Sequence, residues 1–290
     1  MEIYSIDSNG KDITRITFTG LYHRIMGLDV TGRYLVVTRI VNDTNPPYGI
    51  GDEDKKSLWL TDLKEGKEKL LTDIKNNAEG DSFSPDGEWI VFYMSVYGEN
   101  QSDIYKIRRD GSNLTRLTFT SNISECDPAW SNNGSRIAFI SYSLDKPRFI
   151  LKTMDVDGKN IRTIYDCNDN ISTPSFPPGV YDPSWSTDDQ WIIFEKPVSY
   201  KGENGGAGVW HIFKIRVDRA NLIDLSSGRN MAEYLPSFSE DGHNIIFTAR
   251  YNDSGNIKID IFKMDENGLS LVKLTDDKGY NEFGIWVKHR

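Results

Sequence analysis

One hairpin is written four times in this chain. "DSFSPDGEWIVF" (residues 81–92), "PAWSNNGSRIAF" (128–139), "PSWSTDDQWIIF" (183–194) and "PSFSEDGHNIIF" (236–247) each set an aromatic residue and a serine before a tight turn, then an apolar run. Internal repetition limits the available folds more than any local motif, because each copy must be the same supersecondary unit. The marker aromatics Phe83, Trp130, Trp185 and Phe238 are separated by 47, 55 and 53 residues. Leu28, in "GLDVTGRYLVV", and Trp286, in "FGIWVKHR", extend the series by steps of 55 and 48.

A second module follows each marker after a variable gap. It reads "DIYKIRRDGSNLTRLT" (103–118), "LKTMDVDGKNIRTI" (151–164) and "DIFKMDENGLSLVKLT" (260–275), with looser copies at 59–72 and 212–226. Apolar and polar residues alternate on both sides of an Asp-Gly, Asn-Gly or Glu-Gly step. Alternation is the period of a half-buried strand, and glycine supplies the positive φ of a tight hairpin. Each repeat is therefore four antiparallel strands, and four strands at roughly 50-residue spacing describe a propeller blade. The expected fold is all-β: a six-bladed β-propeller of four-stranded antiparallel blades, forming one domain over residues 1–290. Blades are predicted at about 20–75, 76–120, 121–167, 168–228 and 229–277. A composite blade from 1–19 and 281–290 closes the ring, so that no sheet edge stays open. Whether that blade has three strands or four is left open, since its second strand has no counterpart.

The pattern P-x-[WF]-S-x-D-G, I-x-F, D-I-[YF]-x-[IM]-x-x-[DN]-G, L-T resembles the TolB-type (PD-repeat) β-propeller repeat, and the resemblance covers essentially the whole chain. Similar repeats occur in TolB, in the propellers of prolyl oligopeptidase-like and tricorn proteases, and in oligogalacturonate lyases. The chain has no room for the N-terminal domain of TolB, and it contains no G-x-S-x-G nucleophile elbow. The resemblance implies a non-catalytic binding propeller, acting as a monomer, and favours a periplasmic or extracellular location. The alternative it leaves is a metal-dependent hydrolase or lyase at the central channel mouth. Such lyases would gather histidines around a divalent ion. The four here, His23, His211, His243 and His289, fall at places that do not converge, and read as surface residues.

Composition narrows the partners. The net charge of −9 repels phosphate backbones, so nucleic acid is not expected as a partner. No apolar run is long enough for a membrane helix, and residues 1–10 lack the features of a signal peptide. Two cysteines, Cys126 and Cys167, exclude a disulfide scaffold. They are placed in loops flanking one blade, where a disulfide or two free thiols are both open.

Carboxylates cluster ahead of the innermost strands: Glu79, Asp81, Glu125, Asp127, Asp182, Glu233 and Glu282, with Arg24 at the equivalent place in its blade. Around one end of a channel they form either a solvated mouth with turn-capping carboxylates, or a site for a basic peptide segment or Ca2+. No other cofactor is expected. Asp86, Asp110, Asp157 and Asp241 sit at turns and read as structural, and the marker aromatics read as wedges between blades. Long connections gather on one face, the largest at 39–57, 165–181 and 195–210, and together they carry Tyr48, Tyr97, Tyr142, Phe176, Tyr200 and Tyr251. Exposed aromatics there would anchor a protein, a peptide or a glycan, or else pack their own loops. "GENGGAG" (202–208) lacks a phosphate-loop ending and reads as a flexible loop.

Overall fold

The computed structural model describes residues 3–16, 23–42, 55–99, 101–143, 145, 147–167, 171–173, 176–276, 281 and 284–285; the side chains of 23–26, 41, 42 and 81 lie outside that set. The described chain is built from short strands. A hairpin of β1 (Tyr4–Ser5) and β2 (Thr14–Arg15) comes first. Four-strand sets follow: β3 (His23–Leu28), β4 (Tyr34–Asn42), β5 (Lys55–Asp62) and β6 (Lys67–Leu70); then β7 (Asn77–Phe83), β8 (Trp89–Ser95), β9 (Asp103–Arg108) and β10 (Thr115–Arg116). The third set is β11 (Ile123–Trp130), β12 (Arg136–Ser143), β13 (Phe149–Asp155) and β14 (Arg162–Tyr165). The fourth is β15 (Tyr181–Trp185), β16 (Trp191–Ser199), β17 (Val209–Arg216) and β18 (Ile223–Asp224), and the fifth β19 (Ala232–Phe238), β20 (Asn244–Asp253), β21 (Asn256–Asp265) and β22 (Val272–Lys273). A single helical turn, α1 (Glu203–Gly206), lies between β16 and β17.

Within each set the strands pair antiparallel in chain order. The fourth and fifth sets also share one parallel bridge, Trp210 to Ala232, which joins them into an eight-stranded sheet. First strands of successive sets touch each other, β3 with β7, β7 with β11, β11 with β15 and β15 with β19, so they line a common axis. Each of these five sets is a four-stranded antiparallel unit, with its first strand next to those of its neighbours.

The hairpin turns explain why the sequence repeats. In the second blade Ser84 Oγ donates to Asp86 Oδ1 at 2.5 Å and accepts from Trp89 N at 2.9 Å. Ser186 with Asp188 and Trp191, and Ser239 with Asp241 and Asn244, repeat both contacts. Ser131 does the same with Asn133 and Arg136. The serine thus pins the carboxylate, which in turn accepts the backbone N–H two residues on. The turn aspartates are structural, as expected.

Cores form between blades. Phe83 packs with Val36, Leu58 and Leu60 of the preceding blade. Trp130 packs with Val91 and Ile104, Trp185 with Ala138, Ile140 and Leu151, and Phe238 with Ile193 and Ile212. The marker aromatics are therefore inter-blade wedges. Trp185 is 4% exposed and donates its indole N–H to Ala129 O at 3.0 Å.

Every first strand carries a β-bulge, at Ile25/Gly27, Gly80/Ser82, Cys126/Ala129, Tyr181/Ser184 and Tyr234/Ser237. In three blades the bulged residue precedes a proline and adopts positive φ: Asp127 (48°), Asp182 (46°) and Leu235 (57°). A bulge bends the strand and re-aims side chains. Here it separates the core-facing aromatic end of each strand from the end that carries the carboxylates.

Candidate binding face

Three of the predicted carboxylates, Glu79, Glu125 and Glu233, are buried cross-links and do not face solvent at a channel mouth. Glu79 is 2% exposed and accepts from Lys56 Nζ at 2.8 Å and Tyr93 OH at 2.7 Å. Glu125, also 2% exposed, accepts from Thr118 Oγ1 at 3.1 Å, and burial pushes its carboxyl up to about 7. Glu233 is fully buried; it accepts from Ser226 Oγ, and from Arg229 Nε at 2.6 Å. Burial raises its pKa even against the Arg229 guanidinium.

The hydroxyls that donate to these groups end the "L-T" or "L-S" module of the preceding repeat. Thr118 and Ser226 also accept the N–H of Ile104 and Ile212, and Thr72 and Thr275 accept that of Leu58 and Ile261. One hydroxyl therefore ties an outer strand to a third strand, and in two blades to the next blade's carboxylate.

Asp127 and Asp182 sit in the bulges, half-buried, and meet a residue that the sequence analysis missed. Glu195 of β16 is 2% exposed and accepts from Leu235 N at 3.0 Å. Burial, then the charge and hydrogen bond of Asp182, and also the charge of Asp127, push its carboxyl well above the usual range. Glu195 therefore lies beside Asp182 within the fourth blade and reaches the fifth through Leu235 N. Its position inside an apolar strand gave no signal in the sequence. Asp81 and Arg24 lie on strands β7 and β3 with side chains outside the described set, and Glu282 lies outside it altogether.

The loop-face aromatics divide. Tyr97 is 74% exposed, with Lys55 Nζ 5.0 Å from its ring centre. Tyr200 is at the edge of exposure, whereas Tyr251 is half-buried and donates to Asp260 Oδ2 at 2.8 Å. Tyr48 lies outside the described residues. Tyr142 and Phe176 are brought into one strip with four rings not singled out in the sequence. Ring centres follow at 4.6 Å (Tyr142–Phe149), 4.7 Å (Phe149–Tyr181), 5.3 Å (Tyr181–Trp210) and 5.3 Å (Trp210–Tyr234). Phe176 stands edge-on to both Tyr181 and Trp210, and remains 45% exposed. The strip crosses three blades. Trp210 is held by an indole N–H to Ala207 O at 2.9 Å, and Tyr181 by its hydroxyl to Pro177 O. Phe149 and Trp210 alternate like any core position, so periodicity could not single them out.

Other expectations need correction. Residues 202–208 are pinned rather than flexible. They contain α1, and Asn204, 5% exposed, donates to Gly208 O at 2.9 Å and Asn230 O at 3.3 Å. Cys126 lies within strand β11, not in a loop, and both cysteines are free thiols. His211 is buried, not on the surface, and its ring contacts Asp224 Oδ2 at 2.9 Å and Arg229 O at 3.0 Å. Burial alone would lower its pKa, but those two partners raise it. Among the described residues no three His, Cys, Asp or Glu side chains form a metal-holding group. Nor does any described helix have the length and apolarity to cross a membrane.

Repeated four-stranded antiparallel sheets arranged around an axis by their first strands define a β-propeller. Residues 48–182 match the family described as the TolB beta propeller domain. A TolB homologue from Chlorobium luteolum is 28% identical over 58% of this chain, and an uncharacterized protein of Agrobacterium fabrum is 33% identical over 45% of it. The aligned part spans 33% and 44% of those two relatives. Among solved structures, one from Agrobacterium tumefaciens assigned provisionally to TolB has a TM-score of 0.67 at 16% identity, covering 91% of this chain and 84% of the other. Oligogalacturonate lyase from Vibrio parahaemolyticus has a TM-score of 0.59 at 13% identity, covering 89% and 70%. The chain therefore has a β-propeller fold, and residues 48–182 are similar to the TolB-type propeller.

Proposed function

We propose that this chain is a non-catalytic binding propeller that docks a partner protein or peptide on the face formed by its longer connections. A glycan is the other ligand class suited to such a surface. The observation that carries the reading is Phe176, 45% exposed, standing edge-on over an aromatic strip whose Tyr181 and Trp210 are themselves buried. Large, rigid rings supply contact area at little entropic cost, and they dominate the centres of protein interfaces. The strip rests on three blades and supports Phe176 from beneath, so that ring is held preorganised, which lowers the ordering cost of association.

The same reading includes a ring of six blades. Gly284 lies against Ile246 and Ile261 of the fifth blade. Ile285 shares a cluster with Ile3 and with Leu28, Leu35 and Val37 of the first blade. Lys263 Nζ of the fifth blade donates to Ser8 O of the β1–β2 hairpin at 2.7 Å. Both terminal segments thus bridge the first and fifth blades, as a composite sixth blade from 1–19 and 281–290 would. The buried carboxylates hold blades together in this scheme. The reading needs no metal or other cofactor, and takes the protein as a monomer.

The test is a displayed-peptide library and a glycan array, each probed with the wild-type protein and with Phe176→Ala. Ligands captured by the wild type are expected to bind at least tenfold more weakly to the variant, with its melting temperature within about 2 °C of wild type. If neither collection yields a ligand that depends on Phe176, the docking face is wrong. Saturable stabilisation by calcium, reversed by EDTA, would instead favour a metal-dependent function.

A further inference from the structure

At the rim, neighbouring blades are fastened by one recurring contact. A lysine on the third strand donates to the carbonyl at the start of the next blade's outer turn: Lys106 to Val156 O at 2.7 Å, Lys214 to Glu266 O at 2.8 Å and Lys263 to Ser8 O at 2.7 Å. At the seam of the first two blades Lys69, from the outer strand, reaches Asp110 O. Among the described residues the seam between the third and fourth blades has no such clasp. The position that holds lysine in the second, fourth and fifth blades is Thr153 in the third, and it is too short to cross.

The facing turn breaks the pattern as well. Gly10, Gly158 and Gly268 occupy its third position elsewhere, with φ near +80°. A Cβ added to them would stand 2.4, 2.4 and 2.1 Å from the carbonyl oxygens of Leu274, Leu117 and Leu225. Only glycine lets the turn press that closely on the preceding blade. In the fourth blade the position is Arg219, at φ 71°, which does carry a Cβ. The turn cannot close onto β14, and a cleft of about 410 Å3 opens there. The inner end of the same seam stays shut, because Asp189 accepts Asn132 N at 2.7 Å and Asn133 N at 2.9 Å.

Arg162, Thr163, Ile164, Val217, Asp218 and Arg219 line the cleft. Asp218 is engaged by Arg216 Nε at 3.3 Å and by Ala220 N at 3.0 Å. Arg162 and Arg219 make no side-chain hydrogen bond or ion pair with any described residue. In a chain of net charge −9, two uncompensated guanidiniums on one small cleft are an exception to the charge pattern. Guanidinium presents a planar fork of donors that matches oxyanions, and the cleft has the size of a small-molecule site. We infer that this rim cleft binds a small oxyanion-bearing molecule, with its carboxylate or phosphate between Arg162 and Arg219 and its aliphatic part on Ile164 and Val217. The cleft lies among the outer-strand turns, at the opposite end of the strands from the aromatic strip, so it stands apart from the proposed docking face.

Calorimetric titration of the full chain with citrate and with inorganic phosphate, at low ionic strength, tests the inference. Saturable binding of at least one is expected, and which of them binds assigns carboxylate or phosphate. Arg162→Gln is expected to weaken it at least tenfold. Arg219→Gly restores the glycine of the other turns, so it should fold at least as stably while losing binding to the same degree. Thr153→Lys supplies the missing clasp and should also reduce binding. Arg108→Gln, outside the cleft, should leave it unchanged. Absence of saturable binding to both anions, equal binding by Arg162→Gln and Arg219→Gly, or equal weakening by Arg108→Gln would overturn the site.

Discussion

Glu125 illustrates what a single buried carboxyl does to a molecule of this kind. Burial raises its pKa from 4.5 to about 7 in the folded chain. Between those values the unfolded chain releases the proton while the folded chain keeps it, so stability falls as pH rises through the window. The loss is complete above pH 7 and amounts to on the order of 3 kcal/mol. Glu125→Gln removes the titration, so the variant should lose less melting temperature than wild type between pH 4.5 and 8; parallel curves would refute the assignment. Glu195 offers a second case. Burial and Asp182 favour its neutral form and it accepts from Leu235 N, so glutamine is expected to replace it at a cost of roughly 1 kcal/mol or less. Glu195→Ala leaves the N–H and a carboxylate without a partner and should cost several times more, measured by urea unfolding. At this scale the sequence is least informative. The carboxylates near the marker aromatics stood out by position, but whether they faced water or a neighbouring blade depends on partners elsewhere in the chain, as with Glu79 and Lys56, 23 residues apart.

Elements were far more legible. The serine–aspartate turns and glycine steps are local devices, complete within six residues, so their chemistry can be read from the chain directly. The bulges are not of that kind. Asp127, Asp182 and Leu235 look like ordinary strand residues before proline, and only the register with the second strand shows the slip. Glycines of equal appearance also differ in what they meet. Gly66 and Gly158 both have positive φ, but a Cβ on Gly66 meets open space, whereas one on Gly158 meets Leu117 O at 2.4 Å. Gly66→Ala should therefore cost only the backbone strain, about 1 kcal/mol. Gly158→Ala should cost that and a shift of the whole seam between the second and third blades, at least twice as much by the same unfolding measurement. Removal of a wedge should be heavier still: Trp185→Ala leaves a cavity between two blades and is expected to cost roughly 3–5 kcal/mol.

For the whole molecule, the repeat spacing was enough to name the architecture, because blades differ little and their order follows the chain. The route by which the ring shuts was legible only as an expectation from the two terminal half-repeats, and Ile3, Ile285 and the Lys263 contact to Ser8 support it. Deletion of residues 281–290 should expose Ile3 and the first blade's core, lower the melting temperature by more than 10 °C and promote dimers in size-exclusion chromatography. An unchanged monomer would remove the composite blade. The outermost strands carry a last consequence. β2, β10, β18 and β22 are two residues long and the other two outer strands four, so the perimeter offers few free backbone groups in a row. Chains that stack edge to edge need a longer template than that. The disc should therefore resist fibril growth even in concentrated solution, leaving its faces as the surfaces through which it can associate.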